Sequence, residues 1–377
     1  MRESVFWGCV AFIFYAYFGY PLLLAALSLF RRKTVRKGSF LPKVSFIITA
    51  YNEEKRIREK IGNTLQQDYP EDRREIIVAS DCSTDGTDAI VRSFGSRGVR
   101  LVRTHERGGK ERAQKAAVDA SSGEVLIFSD TATLLDPDGV ARVVRNFSDP
   151  TVGCVSSADR YIDSQGKGSG EGAYVRYEML LRDLETQVNT LVGLSGSFFA
   201  ARREVCRPWA PHLQSDFNTL LNSVKRGLRG VSDPESVGYY LNIADERREY
   251  ERKVRTVVRG IAVFMESLHL LNPFRYGLFS WQLFSHKLCR WLVPPAMLLA
   301  FFSNALLAFH SLFFLGFFAL QTAFYLLAFW GMGGKGAAGS GLVRIPLYFV
   351  LVNFSILAAW YRYLRGERMV SWTPSVR

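Results

Sequence analysis

The sequence predicts an α/β domain with a mainly parallel sheet, flanked by membrane-spanning helices at both ends of the chain. Residues 5–30 and 291–334 contain no Asp, Glu, Lys or Arg. Helices of these lengths can cross a hydrocarbon core of about 30 Å. Between the two runs, short segments rich in β-branched residues alternate with helical patterns, which indicates βαβ units and parallel strands.

The first apolar run predicts an uncleaved N-terminal membrane helix over residues 1–30. A basic linker, residues 31–42, follows it directly and contains Arg31, Arg32, Lys33, Arg36 and Lys37. A signal peptide, the alternative, has its basic flank before a shorter apolar core. The positive-inside rule therefore places the central domain in the cytoplasm. We expect a multi-pass protein of the cell (inner) membrane.

The C-terminal block, residues 291–361, predicts two to three further membrane helices. Residues 291–334 are long enough for two, and residues 345–361 form a third apolar segment. A third crossing would place the basic tail, residues 362–377, on the outer side of the membrane, against the charge rule. The sequence therefore leaves open whether two or three C-terminal helices cross. Residues 271–290 mix aromatic and basic side chains, which predicts an amphipathic helix at the membrane surface. An ordinary core helix is the alternative.

Composition limits the classes of partner. The chain has 48 Lys and Arg against 35 Asp and Glu, a formal net charge of +13, and 48% hydrophobic residues. This hydrophobic content excludes a disordered chain. The positive charge predicts attraction to membrane lipids and is compatible with anionic substrates. Nucleic acid is not expected, because no recognition motif accompanies the charge. The five cysteines lack metal-ligand spacing, which predicts free thiols.

The first half of the central domain is predicted to alternate strands and helices. Strands are predicted over residues 43–50, 74–80, 99–104 and 124–129, and helices over residues 53–67, after the turn 81–87, and over 110–120. Asn52 is predicted to cap the first helix. Ligands of parallel sheets bind at the carboxyl ends of strands, where residues 50–53, Asp81 and Asp130 lie. We expect a binding site there; the alternative for either acid is capping of the following turn.

The second half continues with a different pattern. Helices are predicted over residues 174–191, 212–229 and 245–270, and a glycine-containing strand or hairpin over residues 195–203. The resulting domain occupies residues 43–270.

Four segments in order resemble the motifs of family 2 glycosyltransferases. They read VSFIITAYNEE, then IIVASDCSTDGT with GGK at residues 108–110, then VLIFSDTATLLDPDG, then QSDF at residues 214–217. The resemblance covers residues 43–290, and the flanking apolar segments are similar to those of membrane-embedded members such as cellulose, hyaluronan and poly-N-acetylglucosamine synthases and exopolysaccharide glycosyltransferases. It implies a cytoplasmic domain of the Rossmann-like GT-A fold, with a nucleotide-binding half at residues 43–135 and an acceptor half at residues 136–270.

The resemblance also implies roles for the matching residues of the nucleotide-binding half. The residues that would bind the nucleotide sugar are Thr49, Tyr51, Glu53, Asp81, Lys110 and Asp130. The first three would line the base and ribose, and Asp81 would accept a hydrogen bond from uracil. Lys110 would face the uracil or the phosphates, and Asp130 would meet the ribose and a Mg²⁺ or Mn²⁺ ion on the diphosphate.

In the acceptor half, the resemblance makes Asp216 the general base. Ser195, Gly196 and Ser197 would bind the acceptor, and Arg252 and Arg255 would meet the diphosphate. A solvated or lipid-facing helix face is the alternative for the two arginines.

Two positions depart from the family pattern. Ala132 replaces the second acid of the Asp-X-Asp motif, which weakens the expected metal site. Thr256 stands where processive synthases have a Trp that stacks on the acceptor sugar. Loss of that ring favours a transferase over a long-chain polymerase.

The predicted function is that of an inverting, membrane-bound glycosyltransferase. It would move a sugar from a nucleotide sugar, expected to be a UDP-sugar, to a lipid-linked or growing polysaccharide acceptor in cell-envelope or exopolysaccharide synthesis. Other envelope polysaccharide assembly proteins are candidate partners. Two alternatives stay open: a processive synthase coupled to export, and a non-catalytic membrane protein that binds nucleotide.

Overall fold

The computed structural model describes residues 2–162, 173–241, 246–333 and 341–369, so residues 370–377 of the predicted basic tail lie outside the described part. The chain divides into two compact units. A helical unit comprises Met1–Ala25, Asp245–Ile261 and Ser280–Arg368, and an α/β unit comprises Ala26–Ala244, Ala262–Phe279 and Met369–Arg377.

Four helices in the described residues are long and apolar enough to cross a membrane. They are Arg2–Phe30, Leu278–Ala308, Leu312–Met332 and Val343–Leu364. Within the helical unit, Trp281 Nε1 donates a hydrogen bond to Tyr15 Oη at 2.9 Å, and the Tyr15 and Ser285 hydroxyls are 2.6 Å apart. These polar contacts join the first helix to the second.

The helix that precedes the C-terminal block differs from the sequence prediction. Residues 271–290 were predicted to form a separate amphipathic helix, with the first C-terminal span starting after it. In the structure Leu278–Leu283, a π-helical turn at Phe284–Cys289, and Arg290–Ala308 form one continuous helix. The preceding short helix, Pro273–Tyr276, is capped by the Asn272 side chain, which accepts from the backbone N of Phe274. The two helices are therefore separated at Gly277, where the backbone has a φ of +56°.

The α/β unit is built on one eight-stranded sheet. Its strands are β1 (Val44–Ala50), β2 (Arg74–Ser80), β3 (Val99–Arg103), β4 (Val125–Asp130), β5 (Leu134–Leu135), β6 (Val152–Ile162), β7 (Phe198–Arg202) and β8 (Arg229–Leu241). Their order is β3-β2-β1-β4-β7-β6-β8-β5. Strands β3, β2, β1 and β4 are parallel, and β7 runs antiparallel to both of its neighbours. The predicted mainly parallel α/β fold is confirmed.

Helices cover both faces of this sheet. Their bounds are Ile57–Leu65, Thr87–Arg92, Lys110–Ala120, Gly139–Val144, Ala173–Val188, Arg203–Cys206 and Ser215–Lys225. A further helix, Glu246–Glu266, includes residues of both units. One core cluster contains Phe46, Ile48 and Ile127, and a second contains Ile47, Leu126 and Phe128. Successive residues of β1 and β4 thus alternate between the two cores, as expected for a strand that is buried on both faces. All five cysteines are free, as predicted.

The start of the first helix also differs from the prediction. That helix begins at Ile57, and its first turn receives no side-chain cap from Asn52. Asn52 instead has a left-handed backbone, φ +53°, and its Oδ1 accepts a hydrogen bond from the backbone N of Thr84 at 2.8 Å. Asn tolerates this conformation better than most residues. Asn52 therefore joins the loop after β1 to the loop after β2.

The basic linker is anchored on the α/β unit. Lys37 Nζ donates to Asp233 Oδ1 and to Glu235 Oε2, both at 2.9 Å, and the backbone N of Lys33 donates to the carbonyl of Gln187 at 2.7 Å. Asp233 is fully buried. The Lys37 charge is thus neutralised by acids of β8.

Candidate functional site

The candidate site lies at the carboxyl ends of β1, β2 and β4. Ser80, which ends β2, pairs with Ala50 of β1, and Asp130, which ends β4, pairs with Thr49 of β1. The backbone N of Asp81 donates to the carbonyl of Ala50 at 3.0 Å. The predicted positions 50–53, Asp81 and Asp130 therefore lie at one edge of the sheet. This edge includes the switch point at β1, where the strand order runs to β2 on one side and to β4 on the other.

Asp81 anchors the loop that leads into the helix Lys110–Ala120. Its two carboxylate oxygens accept hydrogen bonds from the backbone N of Gly108 and Gly109, both at 2.9 Å. The side chain is fully buried, and Gly109 has φ +90°, a conformation that favours glycine. Asp81 thereby fixes the entry to the helix on which Lys110 is the first residue.

Lys110 joins two elements of the site. Its Nζ donates to Asp130 Oδ1 at 2.5 Å and to the carbonyl of Gly196 at 2.8 Å. The side chain of Lys110 is 10% exposed and that of Asp130 is 29% exposed. The backbone N of Asp130 donates to the carbonyl of Ser197 at 3.0 Å. The end of β4 is thus held against the loop before β7.

Asp216 lies beside the same loop. It is in the first turn of the helix Ser215–Lys225, and its Oδ2 accepts a hydrogen bond from Gln214 Nε2 at 3.2 Å. A Cβ added at Gly196 would be 2.9 Å from Asp216 Oδ2. Glu111 Oε1 accepts from the backbone N of Ser215 at 3.4 Å, which links this helix to the one that starts at Lys110. The structure therefore brings Lys110, Asp130, Gly196 and Asp216 together.

The other predicted nucleotide-binding residues differ in exposure. Thr49 is fully buried, and its Oγ1 has no hydrogen-bond partner among the described residues. Glu53 is 4% exposed and forms an ion pair with Arg56 at 3.2 Å. Tyr51 is half-buried, and the Arg107 guanidinium carbon is 4.0 Å from the centroid of its ring. Of these three residues, Tyr51 is the most exposed.

A carboxylate that the sequence did not indicate lies beside the predicted acceptor-binding loop. Asp159 Oδ1, on β6, accepts hydrogen bonds from Ser195 Oγ at 2.6 Å and Ser197 Oγ at 3.2 Å. Arg182 Nη1 is 4.0 Å from Asp159 Oδ2. Asp159 follows no recognisable motif, so only the pairing of β6 with β7 reveals its place beside this loop.

The predicted diphosphate-binding arginines lie in the other unit. Arg252 and Arg255 are on the part of the helix Glu246–Glu266 that belongs to the helical unit. Thr256, at the position of the expected Trp, donates its hydroxyl to the carbonyl of Arg252 at 2.9 Å. Their predicted role stays a prediction.

Sequence reasoning also missed Lys60, which lies under the end of β4. Its side chain is fully buried, and Nζ donates to Ser129 Oγ at 2.8 Å and to the carbonyl of Thr133 at 2.5 Å. Burial lowers the pKa of Lys60 to about 7, while the Asp130 carboxylate acts in the opposite sense and favours the charged amine. The sequence pattern does not distinguish a buried lysine such as Lys60 from an exposed lysine on a helix.

The residues at the end of β4 fit a divalent cation only together with a substrate. Asp130 Oδ2 has no protein partner among the described residues, while Oδ1 accepts from Lys110. Ala132 supplies no oxygen ligand, and the described part of the chain contains no group of three or more His, Cys, Asp or Glu side chains placed to hold a metal. Mg²⁺ and Mn²⁺ commonly bind through one carboxylate and substrate phosphates. One carboxylate oxygen at Asp130 is compatible with that mode.

Known proteins resemble this chain in sequence and in fold. Residues 45–208 match the sequence model of glycosyl transferase family 2. The glycosyltransferase AglE of Haloferax volcanii is 34% identical over 94 residues, 24% of this chain and 31% of that protein. The poly-beta-1,6-N-acetyl-D-glucosamine synthase of Staphylococcus epidermidis is 25% identical over 216 residues, 52% of this chain and 51% of that protein. The chain thus spans about a third to a half of the length of these relatives.

One solved structure matches over nearly the whole chain. The mannosyltransferase PcManGT from Pyrobaculum calidifontis, in complex with GDP-Man and Mn²⁺, has a TM-score of 0.76 at 22% identity and covers 97% of this chain and 100% of that one. At this identity the likeness concerns the fold, which is GT-A. Residues 45–208 thus match glycosyl transferase family 2 in sequence, and the fold of the chain is GT-A.

Proposed function

We propose that this chain is a membrane-embedded, inverting glycosyltransferase that moves a sugar from a nucleotide sugar to a lipid-linked or growing polysaccharide acceptor. The observation that carries the proposal is the convergence of Lys110, Asp130 and Asp216 around Gly196 at the carboxyl edge of the sheet. A base, an ammonium group and an open carboxylate oxygen are the groups that such a transfer requires.

In the proposed reaction Asp216 acts as general base. Its carboxylate takes the proton of an acceptor hydroxyl, whose oxygen attacks the anomeric carbon from the side opposite the nucleotide. The bond from the anomeric carbon to the diphosphate oxygen breaks, and the nucleoside diphosphate leaves with the bonding electrons. One displacement inverts the anomeric configuration.

Lys110 and Asp130 bind the donor in this proposal. The Lys110 ammonium, already within hydrogen-bond distance of Asp130, offsets the negative charge that develops on the departing diphosphate. A Mg²⁺ or Mn²⁺ ion held by Asp130 and the diphosphate would supply Lewis-acid stabilisation of the same charge. Ser195, Gly196 and Ser197 line the acceptor side, with Asp159 holding the two serine hydroxyls. Arg252 and Arg255 are proposed to meet the diphosphate.

The donor base is proposed to be uracil, stacked against Tyr51. Guanine is the alternative, because the solved mannosyltransferase of the same fold contains GDP-Man. Among the curated relatives, the Staphylococcus epidermidis enzyme is named for poly-N-acetylglucosamine synthesis, which favours an N-acetylhexosamine as the sugar. The catalytic domain is proposed to face the cytoplasm, where nucleotide sugars are available.

The test is release of nucleoside diphosphate by the purified full-length chain in lipid nanodiscs. A panel of UDP-sugars and GDP-sugars is supplied with and without Mn²⁺, in the presence of a polyprenyl-linked lipid extract as acceptor. Release from one donor, dependent on the lipid extract, is the expected result. Binding of UDP or GDP without release from any donor would contradict catalysis and favour a nucleotide-binding protein. Growth of one product to long chains would indicate the processive alternative.

A further inference from the structure

We propose that Lys60 is a positioning residue of the donor site, which fixes the turn that contains Asp130 and so aligns the Asp130 carboxylate with the donor. This inference rests on the proposed function of that site. Lys60 is on the helix Ile57–Leu65, outside the four motifs that indicated the family.

The two hydrogen bonds of Lys60 enclose the Asp130 turn. Its Nζ donates to Ser129 Oγ, one residue before Asp130, and to the carbonyl of Thr133, three residues after it. The turn is closed by the backbone N of Thr133, which donates to the carbonyl of Asp130 at 3.1 Å. Thr131 Oγ1 donates to the carbonyl of Thr49 at 2.9 Å. Lys60 Nζ therefore holds the Ser129 side chain before Asp130 and the Thr133 carbonyl after it, and β1 holds the Thr131 side chain between them.

This use of a lysine is costly for the fold. Lysine is almost never fully buried unless it is paired, and both hydrogen-bond acceptors of Lys60 are uncharged. Among the described residues no carboxylate forms an ion pair with it, and the Phe46 ring centroid lies 5.3 Å from Nζ. An apolar side chain of similar length would fill the same volume without the cost of burying a charge. The position is therefore explained better by the site than by packing.

The missing second acid makes this support more important. With Ala at position 132, Asp130 is the only carboxylate of the turn, and any displacement of that single group removes the acidic contribution of the motif. Lys110 holds the Asp130 carboxylate itself, whereas Lys60 holds Ser129 and Thr133 on either side of Asp130. The two lysines thus act on different parts of the same turn.

The test is binding of UDP and of GDP, each with and without Mn²⁺, to the full-length chain by isothermal titration calorimetry. Lys60→Met keeps the side-chain length and removes the ammonium. We expect its affinity for the preferred nucleotide to fall about tenfold, the effect of losing a hydrogen bond to a charged group, with thermal stability retained. Lys115→Met is the matched control: Lys115 is on the surface and pairs with Asp119 at 2.7 Å, so its affinity should equal that of the wild type.

A double-mutant cycle separates positioning from packing. If Lys60 acts through Asp130, Lys60→Met in an Asp130→Asn background should weaken binding much less than in the wild type. A merely structural role would instead lower the fraction of protein that binds, seen as the titration stoichiometry, and leave the Kd of the folded fraction unchanged. Unchanged Kd in Lys60→Met, or fully additive effects in the double variant, would overturn the inference.

Two further outcomes are decided by the same measurements. If Lys60→Met does not fold, Ser129→Ala removes one acceptor of the ammonium and leaves the lysine in place. A several-fold weaker affinity supports positioning, and wild-type affinity in Ser129→Ala overturns it. Failure of the wild-type chain to bind either nucleotide would contradict the proposed function itself, which distinguishes that failure from failure of the role of Lys60.

Discussion

Gly196 is the residue at which the proposed donor-binding and acceptor-binding groups of the site meet. Its carbonyl accepts a hydrogen bond from Lys110, and its α-carbon faces the Asp216 carboxylate so closely that a Cβ would be 2.9 Å from Oδ2. A side chain at position 196 would therefore require the Asp216 carboxylate to move. The constraint is close approach and not backbone conformation, since Gly196 is not among the glycines with positive φ.

Gly196→Ala should therefore lower kcat by about tenfold or more while nucleotide affinity stays near that of the wild type. The added methyl displaces the end of the Asp216 side chain, and misplacement of a catalytic group by a fraction of an ångström to 1 Å is enough to slow transfer strongly. Steady-state kinetics with the identified donor measures the effect. Gly95→Ala, where the new Cβ has open space, is the control and should keep wild-type kcat. A wild-type kcat in Gly196→Ala would mean that Asp216 is not constrained from this side.

The motifs with Asp81, Lys110 and Asp130 each follow a strand whose end is fixed by the sheet, so their arrival at one edge follows from the topology. Asp216 is separated from β7 by the helix Arg203–Cys206, and only the resemblance indicated its place in the site. Lys60 and Asp159 were not predicted. A lysine in a helix and an aspartate in a polar strand gain their positions from tertiary pairing, which leaves no local pattern in the sequence.

At the scale of elements, the loop before the helix Lys110–Ala120 depends on Asp81. The resemblance predicted that Asp81 accepts a hydrogen bond from uracil, whereas in the structure its oxygens accept from two backbone N–H groups. Each carboxylate oxygen can accept a second hydrogen bond, so the two roles are compatible. Only the hydrogen bonds to the two glycine N–H groups should affect the stability of the nucleotide-free chain.

Asp81→Asn should lower the stability of the α/β unit by about 1–3 kcal/mol, because an amide nitrogen faces one of the two glycine N–H groups and leaves it without an acceptor. Thermal unfolding of the nucleotide-free chain measures this change. Asp119→Asn, an exposed acid on the same helix, should leave the midpoint unchanged. If Asp81→Asn weakens nucleotide binding without lowering the midpoint, Asp81 acts on the ligand alone.

The strands that were predicted and those that were not differ in their residues. Residues 74–80 were predicted as a strand and form β2 with the same bounds, because the segment contains the β-branched run Ile76–Val78 and is buried from Ile76 to Ser80. Strands β6 and β8 were not predicted. β6 contains Ser156, Ser157 and Asp159, and β8 is interrupted by a bulge after Asp233, so neither has an apolar run. Their pairing with each other, and the contact of Lys37 with Asp233, stabilise them.

At the scale of the whole molecule, the sequence left the number of membrane crossings undetermined. The charge-free runs predicted membrane helices, and the described residues contain four helices that are long and apolar enough to cross a membrane. The last helix, Gly341–Leu364, includes Arg344 and Arg362, which the charge-free segment 345–361 left out. A count of uncharged residues therefore underestimated its length.

If all four helices cross, Glu367 and the α/β unit lie on opposite sides of the membrane. We expect Glu367→Cys, in a chain whose native cysteines are replaced by alanine, to react with an impermeant maleimide in right-side-out vesicles. Asp119→Cys in the α/β unit should react only after permeabilisation. The same labelling pattern for both positions would mean that one C-terminal helix does not cross.

The central claim is that Asp216 acts as the base of a glycosyl transfer at a site that binds nucleotide independently. The most direct test compares the wild type with Asp216→Asn in nanodiscs, measuring nucleoside diphosphate release from the preferred donor and nucleotide Kd on the same preparations. The account predicts that release falls by at least about 10²-fold, the contribution typical of general-base catalysis, while Kd changes no more than a few-fold. Near-normal release by Asp216→Asn would contradict the account.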